Sequence, residues 1–477
     1  MQRQVSAERT AALLGPAAER TPAYLGIADA LRLLISDGRI PPGTRLPSER
    51  ELTSVLGVSR TTVTRAYTLL RERGYVSSRQ GSGSVTQLPF SAPAGDVLLN
   101  PSPGEPGRIN LSCAAPMAPP GVMEAYEAAL AELPCHLPEQ GYFPSGLPAL
   151  REAIARRYDV RGLPTDPEQV LVTSGALSAL AVVVRAFVEP GVRVLMESPT
   201  YPNAIASLRG AGARIVGADI QQSGWATSSL VDAVRQVRPG AAYLMPDFHN
   251  PTGQLMDDEQ RTALATALRS SGTLPIVDET MVELAIDEVP MPAPFAAHLA
   301  DTVSLGSASK AYWGGLRIGW IRVPRSRMGA LVTARLSLDL GAPLVEQLAL
   351  VHLMARREQV LDIRRPQLAE SRSALVSALA DRLPSWCFRL PAGGLSLWCE
   401  LPRPVSSAMT AAAERHGVHL AAGPLFAPEG GLERFVRLPF TQSPGTLVEA
   451  VDLLAAAWDE GVRAGRRTPR RDPALVT

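Results

Sequence analysis

Lysine is almost absent from this chain of 477 residues. Of its 47 lysine and arginine residues, only Lys310 is a lysine. Arginine supplies positive charge and a fork of hydrogen-bond donors but stays protonated, whereas a desolvated lysine amine can lose its proton and attack a carbonyl carbon to form an imine. A chain that uses arginine everywhere else therefore indicates chemistry at Lys310 that a guanidinium cannot perform. The alternative is a lysine retained by chance.

Cysteine and histidine are scarce as well. The four cysteines, Cys113, Cys135, Cys387 and Cys399, show no C-x-x-C spacing, and the six histidines are scattered. Disulfide frameworks and zinc sites require clustered or regularly spaced residues of these types. We therefore expect a reduced protein without a metal site.

Apolar runs are too short to cross a membrane as a helix, which takes about 20 residues. The most apolar stretch, 170–184, is interrupted by Gly175 and followed by Arg185, so it predicts a buried strand leading into a helix. The first apolar run, 11–14, is too short for a secretion signal. With 46% hydrophobic residues and a net charge of +1, the composition predicts a cytoplasmic globular protein of about two or three domains, without membrane contact.

Positive charge is concentrated near the N-terminus. Between residues 24 and 90, nine arginines stand against five acidic residues. Within this stretch an apolar stripe from Tyr24 predicts one helix, a capping-box spacing at Ser48 predicts a second, and Ser59 can cap a third. A hairpin with glycines in its middle follows over residues 75–85.

We therefore predict a winged helix-turn-helix over residues 21–87, preceded by a flexible N-terminus over residues 1–20. The strings LPSEREL (46–52) and LGVSRTTV (56–63) resemble those of the GntR family of bacterial regulators. The resemblance implies that the third helix enters the major groove of double-stranded DNA; the alternative for its arginines is a merely solvated surface. Well-known members have a basic side chain at the place of Thr64, so their base preference does not carry over. The DNA-contacting residues implied by the resemblance are Arg50, Arg60, Thr61, Thr64, Gln80 and Gly81.

Residues 88–108 differ from the rest of the chain. Five prolines, three glycines and little apolar periodicity predict a linker, long enough for the DNA-binding head to pack on its own large domain or on that of a partner. From 109 to 465, strand-like apolar runs alternate with helix-like stretches, the pattern of a mostly parallel α/β sheet. Residues 466–477 are expected to form a tail. The chain is thus predicted to be multidomain, with functional residues of the α/β domain in the loops that follow its strands.

Lys310 lies in a loop of small residues that follows a short apolar run. The segment reads SLGSASKAYWGGLRIGW over residues 304–320, with one arginine seven positions after the lysine. It resembles the lysine-bearing segment of fold-type I pyridoxal-phosphate (PLP) enzymes, the aminotransferase class I/II family. The resemblance implies that Lys310 holds PLP as an internal aldimine, that Arg317 binds its phosphate and that Ser307 adds a hydroxyl.

Further candidates lie where predicted strands end. Residues 170–173 predict a strand and residues 174–178 the start of a helix, whose amides and dipole suit a phosphate. The resemblance implies that Tyr201 stacks on the pyridine ring of PLP. It also implies that Asn250 lies beside the 3-oxygen of that ring and Asp278 beside its nitrogen. A core tyrosine and a structural acid are the alternatives. The predicted cofactor-binding residues are Lys310, Asp278, Asn250, Arg317, Ser307, Tyr201, Gly175, Ala176, Leu177 and Tyr142.

Tyr142 belongs to this set because GYFPSG (141–146) resembles the family segment whose tyrosine reaches the phosphate across a dimer interface. The resemblance therefore implies a homodimer. Each DNA-binding head can pack on the large domain of its own chain or, in a swapped arrangement, on that of the partner chain. Arg437 matches the family arginine that binds the carboxylate of a substrate, and Arg434 is the alternative if the register is shifted.

One position departs from the family pattern. Three residues after Asp278, where most of the family's enzymes have a tyrosine, this chain has Met281, with Thr280 beside it. A thioether cannot donate a hydrogen bond. We therefore expect PLP to bind and efficient turnover to suffer.

The head, the linker and the large domain together resemble the MocR group of GntR regulators. The resemblance implies a PLP-dependent transcriptional regulator that senses an amine or amino acid through an aldimine at Lys310, or senses PLP itself. An active aminotransferase with an ancillary head is the alternative function, and a DNA-binding protein with an inactive PLP fold is a third. Lys310 is the predicted catalytic residue, and we expect residual half-transamination at most.

Overall fold

The chain divides into a head, residues 4–87, and a large domain, residues 107–466. The predicted linker lies outside the described residues except for Gly107 and Arg108, as does the predicted tail except for Arg466. The computed structural model describes residues 4–19, 22–36, 39–72, 75–79, 83–87, 107–220, 224–225 and 227–466.

The head contains the predicted three helices and two-stranded wing, together with one additional helix. The predicted capping box is present: the Ser48 hydroxyl accepts a hydrogen bond from the Glu51 amide at 3.2 Å, and the Glu51 carboxylate accepts one from the Ser48 amide at 2.8 Å. Gly57, with φ of 65°, ends that helix. Leu52 and Tyr67 are fully buried in the apolar cluster that joins the helices. The elements of the head are α1 (Ala7–Leu14), α2 (Ala23–Ser36), α3 (Glu49–Leu56), α4 (Arg60–Glu72), β1 (Val76–Arg79) and β2 (Gly83–Thr86).

The N-terminal segment differs from the prediction of a flexible N-terminus. The Ser6 hydroxyl caps α1 by accepting from the Arg9 amide at 3.2 Å, and α1 packs on α3. The Val5 amide donates to the Arg45 carbonyl at 3.1 Å, and Leu14 is buried in the head's apolar cluster. An eight-residue helix has too few apolar positions to give a clear periodic pattern, and it is stabilised by this packing instead.

The first part of the large domain alternates strands and helices, as predicted. Its strands are short and almost fully buried, as expected of a sheet covered on both faces. Its elements are β3 (Ile109–Asn110), α5 (Val122–Glu132), α6 (Pro148–Val160), β4 (Val170–Thr173), α7 (Ala176–Phe187), β5 (Arg193–Ser198), α8 (Pro202–Gly210), β6 (Arg214–Asp219), α9 (Thr227–Val237), β7 (Ala241–Leu244), α10 (Asp258–Ser271), β8 (Leu274–Asp278), α11 (Phe295–His298), β9 (Val303–Ser307), β10 (Gly319–Arg322) and α12 (Arg325–Leu336).

Seven of these strands form one mixed sheet in the order β4-β10-β9-β8-β7-β5-β6. The strands from β9 to β6 run parallel, and β10 is antiparallel to both of its neighbours. Ile205 of α8 and Leu331 of α12 pack with Ile276 in one apolar cluster, and Leu264 of α10 packs with Val277 in another. Since Ile276 and Val277 are adjacent in β8, the two clusters lie on opposite faces of the sheet.

The C-terminal part of the chain adds a smaller layer. A three-stranded sheet has the order β11-β14-β13, and the two-residue strand β12 pairs in parallel with β3. Long helices cover this layer and bury an apolar cluster that includes Leu375, Leu397 and Leu454. The elements are α13 (Leu344–Ala355), α14 (Arg357–Arg382), β11 (Ser396–Glu400), α15 (Ser406–Arg415), β12 (Val418–His419), β13 (Ala421–Ala422), β14 (Phe435–Pro439) and α16 (Pro444–Arg466).

The parallel strands direct their carboxyl ends to one edge of the large sheet. Asp278 and Ser307 are the last residues of β8 and β9, and Tyr201 and Asn250 follow β5 and β7. Loops at this edge are where ligands bind in open α/β sheets. Among the described helices, none combines the length and apolar character needed to cross a membrane.

Candidate functional site

A cavity of about 400 Å³ opens at the carboxyl edge of the sheet. Residues from the sheet, from the start of α7, from β14 and from the segment 112–115 line it. Residues more than 200 positions apart in the sequence therefore face one space. The predicted cofactor and substrate residues on its wall are Ala176, Leu177, Tyr201, Asn250, Asp278, Ser307, Lys310, Arg317 and Arg437.

Lys310 follows the end of β9 and points its amine into the cavity wall. Its Nζ donates a hydrogen bond to the Ala114 carbonyl at 2.6 Å. Burial lowers the pKa of Lys310 below its ordinary value; the nearby Cys113 opposes this shift, and the positive charge of Arg437 adds to it. A lowered pKa leaves more of the amine neutral near pH 7, which is the form that attacks a carbonyl.

Asp278 presents a buried carboxylate to the same cavity, with 5% of the residue exposed. The Tyr243 hydroxyl donates to one carboxylate oxygen at 2.7 Å, and the Thr280 amide donates to the other at 2.9 Å. Burial raises the pKa of Asp278, while the hydrogen bonds from Tyr243 and Thr280 and the charge of Lys310 act against that rise. A carboxylate held in this way is suited to pair with a cationic ring nitrogen.

The opposite end of the cavity is suited to an anion. Helix α7 begins after Gly175, and no side chain caps its first amides. A Cβ atom at Gly175 would lie 2.5 Å from Nη2 of Arg317, so the absence of a side chain lets the guanidinium reach the helix start. Arg317 donates to the Ser174 carbonyl at 3.2 Å. Helix amides, a guanidinium and the Ser307 hydroxyl together match the oxygens of a phosphate.

Arg437 projects into the cavity from β14, the central strand of the smaller sheet, and is 1% exposed. It donates to the Asn250 side-chain oxygen at 3.3 Å and to the Ser112 carbonyl. Its Nε is buried and has no hydrogen-bond partner among the described residues, and burial lowers the pKa of Arg437 to about 10. Arg434, the alternative, is exposed and donates to the Pro402 carbonyl at 3.2 Å. Arg437, and not Arg434, is thus the arginine of this pair that lines the cavity.

Tyr201 and Met281 complete the cavity wall in different ways. Tyr201 is half-buried at the start of α8, and burial next to Asp278 raises the pKa of its hydroxyl to about 12. Met281 is 4% exposed and packs with Phe248 and Leu284 in the core. The hydroxyl that most family members supply at this position is therefore replaced by an apolar side chain.

Two predicted cofactor residues stand apart from the others. Gly175 acts by leaving room for Arg317, as described above. Tyr142 is 63% exposed and does not line the cavity. Its predicted contact with a phosphate could only be made in a neighbouring subunit, and that contact stays a prediction.

Sequence reasoning does not identify Tyr243 or several residues of the cavity wall. Tyr243, the donor to Asp278, lies in a buried strand, where a tyrosine is usually a core residue. The unpredicted residues that line the cavity include Asn203, Met245, Ser309, Gly314 and the segment 112–115. The Lys310–Ala114 hydrogen bond joins residues 196 positions apart and uses a backbone carbonyl, so no residue type marks it.

The head presents part of its predicted DNA-binding set to solvent. Arg50, Arg60 and Thr61 are exposed on α3 and at the start of α4. Thr64 is half-buried, and its hydroxyl donates to the Glu49 carboxylate at 2.6 Å, so in the structure this hydroxyl is engaged within the head. The predicted wing-tip contacts, Gln80 and Gly81, lie outside the described residues.

Comparison with known proteins agrees with both parts of the chain. Residues 127–454 match the aminotransferase class I and II family, and residues 23–85 match the gntR family of bacterial regulatory proteins. The chain is 30% identical over 397 residues to the HTH-type pyridoxine biosynthesis transcriptional regulator PdxR of Corynebacterium glutamicum, covering 79% of this chain and 83% of that protein. It is 31% identical over 337 residues to the probable rhizopine catabolism regulatory protein MocR of Rhizobium meliloti, covering 64% and 66%.

A solved structure shows the same fold for the large domain. The α-aminoadipate aminotransferase LysN of Thermus thermophilus, complexed with N-(5'-phosphopyridoxyl)-L-leucine, superposes with a TM-score of 0.71 at 27% identity. The match covers 79% of this chain and 96% of that one.

The residues of the cavity fit PLP. Asp278 is suited to the ring nitrogen, the start of α7 with Arg317 to the phosphate, and Lys310 to the aldehyde, while the unpartnered Nε of Arg437 leaves a donor for a carboxylate. PLP is thus the cofactor of the large domain. With a GntR-type winged helix-turn-helix fused to an aminotransferase class I/II domain, the chain belongs to the MocR group of the GntR family of PLP-dependent transcriptional regulators.

Proposed function

We propose that occupancy of the cavity around Lys310 controls how tightly the head binds an operator. One observation carries the proposal: the chain combines a nearly complete PLP-binding cavity with a head whose Arg50, Arg60 and Thr61 are exposed. The cavity keeps its lysine, its buried carboxylate and its two arginines, but has Met281 in place of the tyrosine hydroxyl. This combination favours binding over turnover. Because the head acts on DNA, we also propose a cytoplasmic location.

Each residue of the cavity has a distinct part in binding. PLP supplies an aldehyde that bonds covalently to primary amines and a ring that withdraws electrons from that bond. Asp278, held by Tyr243 and Thr280, fixes the ring nitrogen in its protonated form. Arg317 and the first amides of α7 hold the phosphate. Lys310 would hold the aldehyde through its amine.

The effector is an amino compound or PLP itself. Arg437 is buried beside Asn250, and its Nε has no hydrogen-bond partner in the part of the chain that the structure describes. An amino acid would bring the carboxylate that such a group needs. Such a ligand must bind two conformations of the protein, which differ in operator affinity, with different affinities. The change in operator affinity cannot exceed the ratio of the ligand's affinities for these two conformations.

The rival function is an aminotransferase with an ancillary head. The core packing of Met281 disfavours it, because the thioether donates no hydrogen bond to the oxygen that tunes the reactivity of PLP. Thr280 does not replace the missing hydroxyl, since it donates to Asp278. We propose residual half-transamination at most. Many turnovers of keto acid per chain with an amino acid substrate would favour the rival.

The experiment that tests the proposed function measures operator binding with PLP removed and then restored. The probe is DNA from upstream of the protein's own gene, and the readout is fluorescence anisotropy with the full chain. We expect the affinity to change by about 5- to 150-fold, the usual range of coupling between two sites. If PLP has no effect, a panel of amino acids added with PLP tests the other effector class. Failure of both, or no specific binding, contradicts the proposal.

We also propose that the functional unit is a homodimer. An apolar surface around Met123 is exposed on the large domain, and such surfaces often mark contacts between proteins. An apolar cavity of about 750 Å³, lined by residues 118–124, Tyr126, Trp313 and Gly315, lies at this surface. The exposed position of Tyr142 is consistent with a contact to a partner's cofactor. Other large apolar side chains of the large domain that are exposed include Met117, Leu137, Leu338 and Leu340.

Changing Met123 to glutamate should dissociate the dimer. Met123 is 69% exposed on the apolar surface, and a charge buried there without a partner is strongly unfavourable. Light scattering coupled to size exclusion should give a mass near 50.8 kDa for Met123→Glu and twice that for the wild type. Leu390→Glu makes the same change at a side chain 53% exposed elsewhere and should remain dimeric. A monomeric wild type would contradict the proposal.

Changing Tyr243 to phenylalanine should weaken PLP binding by about tenfold. A hydrogen bond to a charged group contributes about 1.5–3 kcal/mol, and 1.4 kcal/mol is a factor of ten. Without this donor, the pKa of Asp278, already raised by burial, rises further. Only the ionised carboxylate of Asp278 pairs with the ring nitrogen. As the pH is lowered, the variant should therefore begin to lose PLP affinity at a higher pH than the wild type does.

PLP titration followed by absorbance, repeated across pH, measures both effects of Tyr243→Phe. Tyr158→Phe is the matched control, because it removes a buried hydroxyl that accepts from Trp320 at 3.3 Å outside the cavity. Equal losses of PLP affinity in Tyr243→Phe and Tyr158→Phe would show that Tyr243 acts through packing and not through Asp278.

A further inference from the structure

A short segment just after the linker also forms a wall of the PLP cavity. Its residues Ser112, Cys113, Ala114 and Ala115 line the cavity. We call residues 112–115 the strap. In sequence the strap is the part of the cavity wall nearest to the head, so a change in the strap is well placed to reach the head.

Hydrogen bonds to the large domain hold the chain on both sides of the strap. Before it, the Ile109 amide donates to the Gly417 carbonyl at 2.9 Å, and the Leu111 amide to the His419 carbonyl at 2.8 Å. Leu111 is fully buried. After it, the Met117 carbonyl accepts from Arg364 at 2.6 Å. The anchor before the strap, at Ile109 and Leu111, directly adjoins it, so a change in the strap acts on the hydrogen bonds that hold the chain where it leads towards the head.

Two ligand-binding cations hold the backbone of the strap. Nζ of Lys310 donates to the Ala114 carbonyl at 2.6 Å, and Nη2 of Arg437 donates to the Ser112 carbonyl. A local hydrogen bond adds to these: the Asn110 side-chain oxygen accepts from the Ser112 amide at 2.9 Å and from its hydroxyl at 2.7 Å.

These contacts compete with ligand binding. When Nζ of Lys310 bonds to an aldehyde carbon, one water is lost and the nitrogen keeps at most one N–H, so its three donors are reduced and redirected. When Arg437 binds a carboxylate, its fork of donors turns to that partner. Both strap carbonyls then lose a donor. The hydrogen bond from Arg437 is of the stronger, charge-assisted class.

We propose that the strap is a ligand-displaced latch: a ligand at Lys310 and Arg437 releases the carbonyls of Ala114 and Ser112 and thereby loosens the segment that joins the cavity to the head. The proposal rests on the proposed function, since it names the route by which cavity occupancy reaches the head. It requires that bound ligand increase the mobility of residues 111–117, whereas simple burial beneath a ligand would decrease it.

Hydrogen–deuterium exchange of the full chain tests this difference. PLP should speed amide exchange in peptides that cover residues 111–117 by about fivefold or more, because local opening governs the exchange rate. Inorganic phosphate, which suits the Arg317 end but does not react with Lys310, should leave that exchange unchanged. Unchanged or slower exchange in the strap with PLP overturns the latch, even if operator affinity responds to PLP.

Asn110→Ala loosens the strap without altering either ligand-binding cation. We expect faster exchange in residues 111–117 without PLP, PLP affinity within about twofold of the wild type, and a PLP effect on operator affinity reduced below the about fivefold lower limit of ordinary coupling. Asn110→Ser, which shortens the side chain that accepts from the Ser112 amide and hydroxyl, is the milder variant if Asn110→Ala does not fold. Asp257→Ala removes a comparable cap, on the Gln260 amide at 2.8 Å, and should change none of these.

The outcomes separate the latch from the function on which it rests. A full PLP response of operator affinity in the folded Asn110 variant, Asn110→Ala or Asn110→Ser, overturns the latch and leaves the proposed function standing. If neither PLP nor amino acids change the operator affinity of the wild type, the proposed function fails and the latch fails with it.

Discussion

Replacing Lys310 by arginine should abolish covalent attachment of PLP while the head still binds DNA. A guanidinium stays protonated and forms no imine, yet it keeps the charge and can still donate to the Ala114 carbonyl. After borohydride reduction, mass spectrometry should find about one PLP per chain in the wild type and none in the variant. Because Lys310 is the only lysine in the sequence, the label has a single side-chain target.

The control for this experiment is the peptide map. In the wild type the added mass must lie on the peptide that contains Lys310. PLP attached at the N-terminal amine, or equal labelling of Lys310→Arg and the wild type, would contradict the assignment. Retained binding of operator DNA by Lys310→Arg shows that the variant is folded.

Replacing Arg60 by alanine should weaken operator binding by about tenfold or more. Arg60 is exposed at the start of α4, the position from which a recognition helix reaches base edges. A contact between arginine and a base contributes about 1–3 kcal/mol to discrimination, so the loss should be larger for operator DNA than for a scrambled sequence. Fluorescence anisotropy with both DNAs, at several salt concentrations, measures affinity and specificity together.

Arg32→Ala is the charge-matched control for the head. Arg32 lies on α2 and forms an ion pair with Asp29 at 3.9 Å, so the variant loses one positive charge from a helix other than α3 and α4. It should retain operator affinity within about threefold and retain specificity, since a phosphate or general charge effect acts equally on all sequences. Equal losses in Arg32→Ala and Arg60→Ala would mean that net charge alone explains binding.

Local patterns in the sequence predict the head and much of the cavity. The capping box at Ser48 and the strand that ends at Asp278 are present because both depend on neighbouring residues. The loop around Lys310 was identified for the same reason. Its lysine, the Ser307 hydroxyl and Arg317 lie within eleven positions of one another and face one cavity.

Long-range packing explains what the sequence did not predict. Tyr243 reaches Asp278 across two adjacent strands, and only the strand order makes them neighbours. Arg437 and Arg434 are three residues apart in the sequence; Arg437 lies in the central strand β14, and Arg434 precedes it and faces solvent. The packing of α1 on α3 likewise depends on the tertiary structure. The competition at the strap involves backbone carbonyls, which carry no residue-specific pattern.

The most direct test of the coupling between cavity and head is its reciprocity. By linkage, if PLP changes operator affinity by some factor, saturating operator DNA must change PLP affinity by the same factor. PLP is titrated into the full chain with and without operator DNA, and the ratio of the two affinities is compared with the PLP effect on DNA binding. We predict equal factors, of about 5- to 150-fold, with scrambled DNA giving a much smaller change. PLP affinity that is the same with and without operator DNA would contradict the claim that the cavity controls the head.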